Sequence, residues 1–196
     1  MKTHYLADFE LVNQYLKGEH SCLEQLINRH RSRVYTYIYL MVKDQHLAED
    51  LFQDTFIKVI KSLHDGKYKD DGKFISWVVR IAHNLIIDHF RKKKKMNLLS
   101  NDEYGIDFFY SGHKASINAE DDYVQTQISR DIRNLVDELP PDQKEVVILR
   151  HFIGLSFKEI AEFTDVSINT ALGRMRYALI NLRKLIKERN ICLSVQ

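Results

Sequence analysis

Residues 155–183 read LSFKEIAEFTDVSINTALGRMRYALINLR, two amphipathic helical stretches broken at Thr164-Asp165-Val166. Ser156, with Glu159 three residues on, has the pattern of a capping box, so the first helix is predicted over Phe157 to Phe163. Ser167 caps the second helix, in which Met175, Ala178, Leu179, Leu182, Leu185 and Ile186 recur at helical intervals. Ile160 and Ala161 are predicted to face that helix: the small Ala161 lets the axes approach, and Val166 plugs the space between them. The turn requires a left-handed backbone, usually supplied by glycine; here it falls to Asp165, one of the few side chains that tolerate it. Together these features spell a helix-turn-helix, whose second helix enters the major groove and offers its N-terminal turns to base edges. With Val166 and Met175 inward, Asn169, Thr170, Gly173, Arg174, Arg176 and Tyr177 share the outward face and its flanks, and with Ser167 they are the candidate duplex-binding residues. Arg174 and Arg176 suit guanine edges or phosphates, Asn169 a base edge or a phosphate, and Gly173 a close backbone approach. The competing reading is a plain helical hairpin with a basic outer face.

Working outward, Ile128, Ile132, Leu135 and Val136 mark a helix stopped by Pro140-Pro141. Asp142 is placed to cap the next one, which carries Val146, Val147, Leu149 and Phe152 and ends at Gly154. These helices make one small domain over 123–190. Residues 96–122 lose helical periodicity and read as an acidic linker; its aromatic patch, Phe108, Phe109 and Tyr110, is expected to dock on the protein itself or on a partner. Before the linker, 5–95 reads as a four-helix bundle. Its stripes are Leu11, Val12, Tyr15 and Leu16; then Leu23, Leu26, Ile27, Val34, Tyr37, Ile38 and Met41, with Ser21 and Glu24 as a capping box; then Leu47, Leu51, Phe56, Val59, Ile60 and Leu63; and finally Trp77, Val78, Ile81, Leu85 and Ile86. Trp77 reads as core, since its neighbours are apolar, and Tyr68 sits in the polar loop between the third and fourth helices. The fold class is therefore all-α, two small helical domains joined by an acidic linker.

Composition agrees with this. Only 2 Pro and 7 Gly in 196 residues are too few for a fold of many short strands and tight turns. Cys22 and Cys192 lie near opposite ends, which excludes a disulfide framework and a CxxC metal site. No apolar run is long enough to span a bilayer and the N-terminus is punctuated by charge, so a cytoplasmic protein is expected. The 9 His show no HxxxH or HExxH spacing and there is no glycine-rich phosphate loop, so neither an enzyme, a metal site nor a cofactor is expected.

The formal charge of +2 conceals segregation. Arg80, Arg91 and Lys92 to Lys95 stand against Asp88 alone; residues 97–126 carry Lys114 against Asp102, Glu103, Asp107, Glu120, Asp121 and Asp122; and Arg174, Arg176, Arg183, Lys184, Lys187 and Arg189 stand against Glu188. Each charge run alone reads as well as a solvated face, but two basic segments on separate predicted helices favour a polyanionic partner more than one would. On the first of them, Asn84, Asp88 and Arg91 lie along one side, and an amide with cations beside the loop aromatic Tyr68 suits an unstacked base and its phosphates.

Three segments carry a family resemblance: Ala48 to Phe56 (AEDLFQDTF); Phe74 to Asn84 (FISWVVRIAHN), followed by Asp88 and Arg91; and Leu139-Pro140, followed by Val146 to Arg150 and Gly154 to Ala161 (GLSFKEIA). In this order and spacing the chain resembles bacterial sigma factors of the extracytoplasmic-function group over nearly its whole length. The resemblance implies that 5–95 binds core RNA polymerase and the promoter −10 element, and that 123–190 reads the −35 element while its first helices pack on the flap of the second-largest polymerase subunit. It implies that the helix bearing Asp50, Gln53, Asp54 and Phe56 docks on the clamp helices of the largest subunit. It places Asn84, with Asp88, Arg91 and Lys92, on the opened non-template strand, and Tyr68 in the loop that receives a flipped base. An anti-sigma factor is a further partner it allows. The chain departs from the family in Leu172 and Gly173, where a basic residue and a small hydroxyl are frequent, and in Asp165 at the turn; these bear on base preference, not on fold. Without the resemblance, the alternatives are a conventional helix-turn-helix regulator that binds duplex without polymerase, and a structural polyanion binder without sequence preference.

Overall fold

The computed structural model describes residues 6–69, 72–99 and 133–191, and every regular element in them is helical. The chain divides into two compact units, one on each side of residues 111–112.

The N-terminal unit is built from α1 (Asp8–Leu16), α2 (His20–Val42), α3 (Gln45–His64) and α4 (Phe74–Leu99). The long α2, about 35 Å at 1.5 Å per residue, is the axis against which α1, α3 and α4 all pack. Its buried residues Leu26, Val34, Tyr37, Ile38 and Leu40 interleave with Leu11, Val12 and Tyr15 of α1, Leu51, Phe56, Val59 and Leu63 of α3, and Phe74, Val78, Val79, Ala82 and Ile86 of α4. Lys43 reverses the chain with φ 58°, after which the Asp44 carboxylate accepts from the Leu47 N–H at 3.0 Å and opens α3. Gly66, with φ 66°, turns the chain away from the end of α3.

Several expectations change here. Leu16 is exposed, because α1 turns only Leu11, Val12 and Tyr15 inward. Ser21 caps nothing: α2 starts one residue earlier and the Ser21 hydroxyl donates to Glu19. The buried stripe of α4 runs through Phe74, Val78, Ala82 and Ile86, so Trp77, Ile81 and Leu85 are half-buried flanks. This helix continues to Leu99, past the expected start of the linker at 96. The rest of the linker, with Phe108, Phe109 and Tyr110, lies outside the described residues, as do Ile128, Ile132 and Cys192.

The C-terminal unit comprises α5 (helical over 133–137), α6 (Pro141–Val147), α7 (Phe157–Thr164) and α8 (Ile168–Glu188). Pro140 precedes α6 and Pro141 is its first residue, so Asp142 is not the cap; its carboxylate is left free for another partner. Beyond Val147 the helix widens into a π-helical turn, Ile148–Ile153, with the Gly154 N–H donating to the Leu149 carbonyl at 3.1 Å. The wider turn buries Ile148, Leu149 and Ile153 together, and Gly154, at φ 89°, ends it. The expected capping box of α7 is present: the Glu159 N–H donates to Ser156 Oγ at 3.2 Å and the Ser156 N–H to Glu159 Oε2 at 2.8 Å. Asp165 sits at φ 53°, ψ 47°, in the left-handed conformation the turn demands, and the Val166 N–H donates to the Ala161 carbonyl. Val166 is half-buried rather than a full plug. Asp165→Gly is therefore expected to leave the unit as stable or up to about 1 kcal/mol more stable in thermal unfolding, whereas Asp165→Val is expected to destabilise it.

α8 packs on α6 and α7 through Ala171, Met175 and Ala178. Three polar ties bind it to α6 and the segment before it: Arg174 to Asp142 at 2.7 Å, the Asn181 amide to Gln143 at 2.8 Å, and Arg189 to Glu138 at 2.6 Å.

Candidate polymerase and nucleic-acid interfaces

On α8, Ser167 Oγ accepts from the Thr170 N–H at 3.0 Å and shares a hydrogen bond with Thr170 Oγ1 at 2.8 Å. Both hydroxyls thus complete the helix start while remaining at its exposed tip. Asn169, Arg176 and Tyr177 are exposed. A Cβ built on Gly173 would meet no other atom within 4 Å, so the room its missing side chain leaves opens to the outside. Arg174 departs from the expected outward group: it is 24% exposed and turned toward α6, where Asp142 holds it. Beside the pair lies Glu145, whose carboxyl is raised to about 7 by burial and by the charge of Asp142, against the opposing pull of Arg174. The other flank of α8 carries an open apolar groove lined by Phe157, Leu172, Met175, Leu179 and Ile180 between Arg176 and Arg183. It includes Leu179, one of the residues that recur at helical intervals, which is exposed because α8 is covered on one narrow stripe only. Periodicity alone did not flag this groove, since its floor shares the helical interval of the core.

In the N-terminal unit, Asn84, Asp88, Arg91 and Lys92 are all exposed, and Arg91 donates to Asp88 at 3.3 Å. Trp77 and Ile81 continue the line of Asn84 and Asp88 toward the start of α4. Tyr68 packs there: its ring lies 4.7 Å from Trp77 and 5.7 Å, edge-on, from Phe74. Aromatic, amide and cationic groups therefore succeed one another along one side of α4. His83, next to Asn84, accepts or donates at 2.9 Å to the Tyr37 hydroxyl, and burial with the nearby Arg80 charge lowers its pKa, favouring the neutral ring. His30, which is buried, bonds Asp8 at 2.7 Å and lies 5.5 Å from the Phe74 ring, so the base of this aromatic cluster rests on α1 and α2. Burial lowers the His30 pKa despite the raising effect of Asp8, and Arg29 and Arg33 lower it further.

On α3, Asp50, Gln53 and Asp54 are exposed along one face, and Ile57, also exposed, extends it by a further turn. Phe56 is not part of that face. It is 5% exposed and its ring packs 4.9 Å from that of Phe52 inside the bundle. Among the described residues no group of three His, Cys, Asp or Glu is placed to hold a metal ion, and no helix is long and apolar enough to cross a membrane.

Comparison with known proteins resolves the assignment. Residues 26–96 match the model of Sigma-70 region 2, and residues 129–177 match that of Sigma-70, region 4. RNA polymerase sigma factor SigV of Bacillus subtilis is 33% identical over 163 residues, spanning 83% of this chain and 90% of that protein. ECF RNA polymerase sigma factor SigW of the same organism is 28% identical over 180 residues, spanning 90% of this chain and 95% of that protein. The chain belongs to the extracytoplasmic-function group of the sigma-70 family. Among solved structures, CnrH in complex with the cytosolic domain of CnrY shares the fold with TM-score 0.65 at 22% identity, over 93% of this chain and 99% of that one. The sigma factor RpoE from Bartonella quintana, crystallised with the anti-sigma factor NepR, does so with TM-score 0.68 at 22% identity, over 84% of this chain and 96% of that one. As a sigma factor, the chain joins core RNA polymerase and directs promoter recognition. In these terms α2 to α4 carry region 2 from Leu26 onward, and α6, α7 and the first half of α8 lie within region 4. α1 and the second half of α8 lie outside the matched segments.

Proposed function

We propose that this sigma factor grips core polymerase through Asp50, Gln53, Asp54 and the neighbouring Ile57 on α3, the opened −10 strand through Tyr68, Asn84, Asp88, Arg91 and Lys92, and the −35 duplex through Asn169, Gly173, Arg176 and Tyr177 at the start of α8. The observation that carries this reading is that α3 and α4 present two chemically distinct exposed faces on one bundle. One is acidic and apolar; the other runs from the half-buried rings of Tyr68 and Trp77 through an exposed amide to exposed cations. The bundle can thus hold a protein and a nucleic acid at once. Opening the duplex costs a few kcal/mol per unstacked base, which capture of the displaced strand by the α4 face offsets. A second grip on duplex DNA raises the effective concentration of the first. Ser167 and Thr170 support the α8 tip through its cap, and Arg174 occupies its α6 flank. A NepR-bound sigma factor of the same fold supports an anti-sigma partner for this chain as well.

Transcription reconstituted with core polymerase, with permanganate footprinting of the start region, tests the reading: promoter-specific initiation with reactive thymines is expected. A chain that binds duplex but never polymerase would instead be a conventional helix-turn-helix regulator. Arg176→Ala is expected to weaken duplex binding and to lower the slope of log affinity against log salt by about 0.9 if its contact is a phosphate, while polymerase capture in a pull-down stays unchanged. Equal loss of both would defeat the division of labour.

A further inference from the structure

The expected cap Asp142 has another role in the structure. It stands in the first turn of α6, where Pro140 and Pro141 set the helix start without a side-chain cap. Its Oδ2 instead meets Arg174 Nη2 at 2.7 Å. Arg174 follows the buried Ala171 by three residues and precedes the buried Ala178 by four, so it leaves α8 at the border of the packed face, on the side of α6. Asp142 is 66% exposed, so the pair is open to any polyanion that reaches this edge of α8. Two further ties, of Asn181 to Gln143 and of Arg189 to Glu138, hold α8 further along. Asp142 is the carboxylate in contact with the guanidinium; Glu145, also beside Arg174, is raised to about 7 by burial.

We propose that Asp142 is an electrostatic brake on the recognition helix: it occupies the Arg174 guanidinium, and a duplex phosphate arriving at the α6 edge of α8 must displace it. This rests on the reading of α8 as the duplex-contacting helix. The consequence is a weaker and less salt-sensitive grip than the cationic count of α8 suggests. When a phosphate takes the place of Asp142 on Arg174, the counterion released from the DNA is offset by the cation that the freed carboxylate takes up.

The test uses the full chain and a fluorescent mixed-sequence duplex titrated over a range of NaCl concentrations. Asp142→Asn keeps the shape of the side chain and removes its charge. It is expected to tighten binding about two- to five-fold, the scale of one exposed ion pair, and to steepen the salt slope by about 0.9. In an Arg174→Ala background the same change is expected to do neither, since the gain requires the released guanidinium. Before any DNA is added, the Arg174 side-chain N–H signals in the NMR spectrum are expected to be restrained in the parent chain and averaged in Asp142→Asn. Unchanged or weaker binding by Asp142→Asn overturns the brake, as does a gain that persists without Arg174, or Arg174 signals already averaged in the parent. These outcomes are separable from failure of the underlying reading. If Arg176→Ala leaves duplex binding untouched, α8 is not the contacting helix. If Arg176→Ala weakens binding while Asp142→Asn does nothing, only the brake is wrong.

Discussion

Phe56→Ala is expected to destabilise the N-terminal unit by about 3–5 kcal/mol, enough to unfold much of it, and to lose polymerase binding only as a consequence. The ring is 5% exposed, packs on Phe52 at 4.9 Å and shares the α3 core with Leu51, Val59 and Leu63. Truncation leaves a void that helices fixed by so many other contacts cannot close. The single tryptophan, Trp77, lies in this same unit and reports its unfolding by fluorescence without interference from the other. Gln53→Ala and Asp54→Ala, on exposed positions one turn away, are expected to shift that denaturation midpoint by no more than about 0.5 kcal/mol and yet to reduce capture of core polymerase. A Phe56→Ala chain with a native fluorescence transition but no polymerase binding would reverse the assignment and make the ring a contact.

Glu145→Gln is expected to stabilise the C-terminal unit most above neutral pH. In the folded chain the carboxyl titrates at about 7, against 4.5 for the ordinary group. Between those values the folded state holds a proton that the unfolded state has released. The contribution is therefore fully present below the unfolded value and is lost as pH rises through the folded one, about 3 kcal/mol in all from a displacement of this size. Glutamine is neutral throughout and removes the dependence. Amide hydrogen exchange over α6 and α8, compared at about pH 5 and about pH 8, is expected to show protection falling with pH in the parent chain and nearly constant in Glu145→Gln. Identical profiles in the two proteins would show that Glu145 ionises normally. The N-terminal unit has the opposite sign. His30 and His83 are both held below the ordinary histidine value by burial, so their contribution is present above about pH 6.5 and declines as the solution is acidified.

The helix-turn-helix was the most legible part of the chain, because its signals are local. The Ser156–Glu159 box, the Ser167 cap and the left-handed Asp165 each depend on residues within one turn, and all three are found where the sequence put them. The misreadings share the opposite character. Ser21 and Asp142 have the chemistry of caps, but helix starts one or two residues earlier leave them inside the first turn. Phe56 lies near Gln53 and Asp54 in sequence, but the bundle takes in its ring and leaves theirs outside. Leu179 has the spacing of a core residue but is exposed among the described residues.

Helical periodicity, capping chemistry and the order of its motifs were thus enough to establish an all-helical chain, the two helices and the turn near its C-terminal end, and the family to which it belongs. These properties are carried by residues close together in the chain, where backbone geometry leaves few choices. Which face of each helix is covered, whether Arg174 meets DNA or Asp142, and which carboxyl keeps its proton depend on groups brought together from distant positions. A 3.6-residue period does not say which neighbour arrives on which side; packing of α8 on α6 and of α3 on α2 supplies that information.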